Sequence, residues 1–135
     1  MATKFIVDTH ALVWHLEGKP TLGRKAKAVI DSSHSELVLP VIALAEAVFI
    51  VGKGRTSIPS VSDLLNDVLN DPRIEIYPLT VEILQESLTL TAIPEMHDRL
   101  IVATGIYLQS LGETVKVITK DNDIILASLL PVVWS

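Results

Sequence analysis

An α/β fold, three layers deep with helices on both sides of a central, mostly parallel sheet, follows from three observations on the sequence. Short apolar runs rich in β-branched residues recur at Phe5-Ile6-Val7, Leu37-Val38-Leu39, the alternating Arg73–Tyr77, and Val115–Thr119. Helical stretches lie between them, and strands joined through helices pair in parallel. The chain has 135 residues, 49% hydrophobic and 20% charged, which is enough apolar surface for one packed core. No repeat, low-complexity tract or long linker divides it, so residues 1–135 are expected to form a single domain.

Residues 4–8 read as a buried strand. His10 to Leu16 reads as a short helix stopped by Gly18 and Pro20, and Thr21 is placed to cap a helix running to about Asp31. After the strand at Leu37–Leu39, Pro40 opens a helix through Glu46 that ends near Gly52–Gly54. Ser60 with Asp63 resembles a capping box ahead of the helical LLNDVLN. Thr80 caps a helix through Leu90, and Pro94 separates it from a longer one over about His97 to Leu111, which Gly112 terminates. A helix near Ile124–Leu129 and a short strand at Val132–Trp134 complete the pattern.

Composition narrows the function. There are no cysteines, which excludes disulfides and thiolate metal sites and fits a reducing compartment. The longest uncharged apolar run, Leu37 to Ala45, is too short to cross a bilayer. The chain opens on the strand-like KFIVD rather than a signal peptide, so a cytoplasmic protein is expected. The net charge of −5 argues against a nucleic-acid partner at first sight. The distribution is uneven, however: Lys19, Arg24, Lys25 and Lys27 form a basic cluster with no acid among them, and Lys53 with Arg55 makes a second. A solvated helix face is the favoured account of the first cluster, ahead of a binding role.

Four acids occupy unusual places. Glu46 is the only polar residue from Leu37 to Val51. Asp8 ends the Phe5-Ile6-Val7 run, Asp98 stands just before Leu100-Ile101-Val102-Ala103, and Asp121 follows the strand at Val115–Thr119. Carboxylates are seldom buried unless paired or bound to a cation. In open α/β sheets, ligands bind beyond the carboxyl ends of the strands, where Asp8 and Asp121 fall. Helix capping is an equally good account of Asp8, Asp98 and Asp121 taken singly. Glu46 lacks that explanation, since Val41, Ile42, Phe49 and Ile50 leave its helix no polar face; a buried pair with Lys4 or Lys120 is the alternative.

In order and spacing, VDTHALVW (7–14), VIALAEAVF around Glu46, MHDRLIVATG (96–105) and ITKDNDI (118–124) resemble the PIN-domain nucleases, in particular VapC-type toxins. DTHAL and HDRLIVATG are the most specific parts of that resemblance, which covers nearly the whole chain. It implies that Asp8, Glu46, Asp98 and Asp121 are the catalytic and metal-binding acids, with Asp123 a further candidate ligand. Thr119 matches the small hydroxyl residue that precedes the last acid. His97 would orient Asp98 or touch substrate, and Arg99 would point from the mouth of the site toward a phosphate or an antitoxin carboxylate. The resemblance also implies an RNA substrate, a homodimer and a small antitoxin that blocks the site.

The chemistry agrees. Oxygen ligands without Cys suit Mg²⁺ or Mn²⁺, as one ion or two. Such ions hold a phosphodiester oxygen, acidify a bound water and stabilise the leaving oxygen. His10 and His15 read as structural or surface residues, and Trp14 and Trp134 as core or interface residues rather than base-stacking platforms. A haloacid-dehalogenase-type phosphohydrolase also opens on a strand-end Asp, but its second acid is replaced by His10 here. A receiver domain needs an early acidic pair and a late strand-end Lys, both absent. The rival from another class is a PIN-fold interaction module without catalysis, against which the presence of all four acids argues.

Overall fold

The sheet is built around β1 (Thr3–Val7), the strand that the Phe5-Ile6-Val7 run anticipates. The computed structural model describes residues 2–135. β1 leads into α1 (Thr9–Glu17) and α2 (Arg24–Asp31), then β2 (Glu36–Pro40), α3 (Val41–Gly52) and α4 (Val61–Leu69). There follow β3 (Ile74–Tyr77), α5 (Val81–Ser87), α6 (Met96–Ser110), β4 (Thr114–Ile118), α7 (Asn122–Ala127) and β5 (Val132–Val133). The strand order is β3-β2-β1-β4-β5, and every pairing is parallel. The expectation of a mostly parallel sheet is therefore met in full.

Register explains the layers. Phe5 pairs with Leu37 and Leu37 with Ile74, so odd-numbered β1 and β2 residues share one face. Against that face Leu12 and His15 of α1 and Ile30 of α2 meet Val7, Leu37, Leu39 and Ile74. α6 covers the other face. A Cβ on Gly105 would lie 2.6 Å from Leu130 Cδ1 and 3.2 Å from Ile6 Cγ1, so any side chain there would have to displace both neighbours. Ile6, Val117 and Ile118 are fully buried between the helical layers, as two-sided coverage of a parallel sheet requires.

Most helix ends fall where local chemistry puts them. Ser60 accepts from the Asp63 amide and Thr80 from the Ile83 amide, and Gly18 adopts the left-handed conformation that closes α1. Two starts differ from expectation. Thr21 does not cap α2; its N-cap is Gly23, and the Trp134 carbonyl accepts from the Ala26 amide at 2.9 Å. A backbone carbonyl from the far end of the chain thus replaces a side-chain cap. A Cβ on Gly23 would fall 2.2 Å from that oxygen, which is why glycine stands there. α6 is capped by Glu95, whose side chain accepts from the Asp98 amide at 3.1 Å, so Asp98 is not a cap.

Candidate active site

Strand order reverses between β1 and β4: the chain runs from β1 outward to β2 and β3, then returns to β4 on the other side. The diverging connections leave a crevice at the carboxyl end of this pair. A cleft of about 490 Å³ opens there, lined by Asp8, Glu46, Asp98 and Asp121 together with Thr9, His10, Trp14, Glu95 and Lys120. All four acids singled out in the sequence converge on it.

Asp8, Asp121 and Glu46 are each held by hydrogen bonds, while the Asp98 carboxylate has no such partner among the described residues. Asp8 follows β1 directly and is 6% exposed. One of its oxygens accepts from the Ala11 amide at 2.8 Å and the other from the Thr119 hydroxyl. Thr119, fully buried after β4, in turn accepts from the Asp121 amide at 3.0 Å. Asp121 caps α7 through the Ile124 amide at 3.0 Å. Capping and site membership are thus compatible: a carboxylate has about four lone-pair positions, and a cap takes one. Thr119 ties the two strand-end acids into one unit.

Glu46 departs from expectation. It is not a buried charge in an apolar core, because the outer side of α3 is uncovered: Phe49 is 62% exposed, and the Glu46 side chain is partly accessible. Its Oε1 accepts from the Thr9 hydroxyl at 2.7 Å, and His97 Nδ1 lies 3.8 Å from its Oε2. Neither proposed lysine partner reaches it; Lys4 pairs with Glu75 and Glu113, and Lys120 lies over the Trp14 ring.

The remaining candidates divide. His97 is drawn into the cluster, 2.7 Å from Glu95, and the Glu95 and Glu46 carboxylates favour its charged form above the ordinary histidine range. Asp123 is exposed on the first turn of α7 and does not line the cleft. Arg99 donates to the Ile93 carbonyl and is likewise absent from the lining. Sequence reasoning missed Glu95 and Thr9. The Glu95-x-x-Asp98 spacing at a helix start was the available signal for Glu95; for Thr9 it was adjacency to Asp8. Trp14, expected in the core or an interface, is partly exposed on the cleft wall.

Electrostatics favour a cation here. Burial pushes the Asp8 carboxyl up, against the hydrogen bonds from Thr119 and Ala11. Asp98 is pushed up to about 7, first by desolvation and then by the charges of Asp121, Glu95, Glu46 and Asp8. Lys120 is the one lysine or arginine in the lining, and with His97 beside Glu46 and Glu95 it leaves the acids in excess of the protein's own positive charge. Glu46, Glu95 and His97 offer ligand atoms all within 4.8 Å of one another. A mainly oxygen donor set of this charge fits a hard divalent ion.

Three of the solved structures that share the fold illustrate the likeness. One is a toxin–antitoxin complex from Klebsiella pneumoniae (TM-score 0.66, 18% identity, 98% of this chain and 95% of that one). Another is VapBC2 from Rickettsia felis bound to a DNA fragment from its promoter (TM-score 0.73, 16% identity, 98% and 99%). A third is FitAB bound to an IR36 DNA fragment (TM-score 0.59, 16% identity, 96% and 92%). No curated protein matches the sequence significantly. The family model of the PIN domain matches residues 5–128, a span that takes in the cleft and all four acids, and the chain belongs to that family.

Proposed function

We propose that residues 1–135 form one catalytic domain, a cytoplasmic, divalent-cation-dependent endoribonuclease of the VapC type and the toxin of a toxin–antitoxin pair. The observation that carries this reading is the convergence of Asp8, Glu46, Asp98 and Asp121 on one cleft at the strand-order switch, with Asp98 raised to about 7. Asp8, Glu46 and Asp98 would hold Mg²⁺ or Mn²⁺, with Asp121 serving a second ion or positioning the attacking water. When bound, the ion polarises the scissile phosphate and acidifies water. The protein's own part is preorganisation. Thr119 and the Ala11 amide fix the Asp8 carboxylate, Thr9 holds Glu46, and Glu95 anchors both the Asp98 amide and His97.

The antitoxin reading has support beside the cleft. Ile42, Ala45, Phe49 and Ile50 surround Glu46 with apolar surface in a groove of about 430 Å³ that His97 closes. An apolar segment docked there would place its neighbouring residues over the acids. A second copy of the chain is the partner we assign to the exposed Leu79, Val81, Leu84 and Leu88 around α5.

The test is cleavage of RNA by purified protein. Wild type with Mg²⁺ or Mn²⁺ should cut, EDTA should stop it, and Asp98→Asn or Asp8→Asn should abolish cleavage while keeping the fold. Unaltered cutting by Asp98→Asn sinks the site. A folded wild type that cuts no RNA with either metal, yet binds a partner protein, returns the reading to an interaction module.

A further inference from the structure

Trp14 borders two cavities. On one side it closes the acidic cleft; on the other it lines a second hollow of about 600 Å³ with Lys19, Arg24 and Lys27. The Lys120 ammonium lies 5.9 Å from the Trp14 ring centroid, and Trp134 packs edge-on against the same indole at 5.8 Å. The two hollows are therefore joined at an aromatic wall with a lysine above it.

Beyond the wall the charge changes sign. Lys19 is 3.7 Å from Glu17, and Lys27 is bonded to Asp31. Arg24 and Lys25 are exposed and, among the described residues, lie within ion-pair reach of no acid. They open α2, where the helix dipole disfavours cations. Nothing in the packing of α2, held by buried Ala26 and Ile30, uses either charge. A residue choice that works against local stability is expected at functional positions.

We infer that a single-stranded RNA runs from the acidic cleft across Trp14, a base resting on the indole near Lys120, to backbone phosphates held by Arg24 and Lys25. This rests on the nuclease reading and adds to it the path of the substrate. Aromatic platforms next to cationic grooves bind single strands largely without regard to sequence, since every base has a π-face. The path also answers the charge problem of an acidic protein acting on a polyanion: attraction is supplied locally, beside the cleft rather than within it.

Replacing Trp134 by Phe leaves Trp14 as the only indole. That protein is titrated with a ten-residue oligouridylate in EDTA, so that no cutting intrudes. Trp14 fluorescence should be quenched, and Arg24→Ala/Lys25→Ala should weaken binding about tenfold or more. The dependence of log Kd on log salt should flatten by about 1.4 for two lost phosphate contacts. Lys116→Ala, a charge loss on β4, should leave affinity within twofold. With Mg²⁺ and a long RNA, the Arg24/Lys25 variant should raise KM and leave kcat unchanged. Binding with silent Trp14 fluorescence, or equal losses from Lys116→Ala, overturns the path, as does quenching by an acidic peptide but not by oligouridylate. Oligothymidylate that matches oligouridylate still supports the path and broadens the ligand to single strands generally. Quenching without cleavage in Mg²⁺ keeps the path and removes the nuclease; cleavage with silent Trp14 does the reverse.

Discussion

The two ends of the sheet handle charge in opposite ways. At the amino end, Arg73 donates to both Asp71 oxygens and to the carbonyls of Ile30 and Ser32, and Lys4 lies between Glu75 and Glu113. Arg73 holds the Asp71 carboxyl below its ordinary range. At the carboxyl end, four acids and Glu95 face one cleft with Lys120 alone among them, and Asp98 is driven up to about 7. At the amino end Asp71, Glu75 and Glu113 are each paired with a cation, and Arg73, held by Asp71, joins the end of α2 to the start of β3. The carboxyl end crowds carboxylates with fewer protein counter-charges than acids, a strain that a bound cation would relieve. The same residue type is structural where a cation is built in, and a candidate for function where too few are supplied.

Thermal melting separates the two ends. The largest effect expected is that of Mn²⁺ on wild type. A hundredfold excess over Kd stabilises by about 2.7 kcal/mol, or roughly 10 °C for a chain of this size. Asp98→Asn should respond far less, and equal responses would place the ion elsewhere. Next comes Arg73→Ala, which leaves Asp71 and two carbonyls short of partners and should cost about 2 kcal/mol. An unchanged melting temperature there would contradict the structural reading of the amino end.

Asp98→Asn without metal should move the other way. Removing one of several repelling charges, without opening a cavity, should raise the melting temperature by a few degrees, or about 1 kcal/mol. A destabilised Asp98→Asn protein would mean that Asp98 is held by a partner, as Asp71 is. The smallest effect lies in pH. Because Asp98 binds its proton more tightly folded, at about 7, than unfolded, near 3.8, its share of stability is full below 3.8 and falls as pH rises to 7. Asp71, depressed by Arg73, contributes above its unfolded value and loses that contribution as pH falls through its folded one. Metal-free wild type should therefore lose stability from pH 5 to 7 relative to Asp98→Asn, with the difference constant above about 7. Parallel pH curves for the two proteins would remove the shift.

Much of this site was legible before any fold was known. Asp8 and Asp121 end apolar runs, and a residue at the end of a parallel strand lies at the crevice by geometry alone. Glu46 was conspicuous for the right reason, a lone acid in an apolar stretch, but the burial inferred from that stretch was wrong. An apolar helix face reads the same whether it meets a core or is left open, and α3 leaves Ile42 and Phe49 around Glu46 in the open groove. Glu95 was overlooked because its role depends on the turn that places it opposite His97 and Asp98.

Local pattern was enough for the alternation of strands and helices, most of their ends and the parallel sheet, and for singling out four acids that the fold gathers at one cleft. Those properties depend on side-chain periodicity, capping chemistry and proline or glycine placement, which act over a few residues. Tertiary structure alone decided that β4 returns beside β1, so that Thr119 bonds Asp8 across 111 positions. It also decided that the Trp134 carbonyl starts α2, that Asp123 faces solvent, and that Trp14 stands between an acidic cleft and a basic hollow. Contacts between distant segments follow from strand order and from which helix faces are covered, and no local pattern encodes either one.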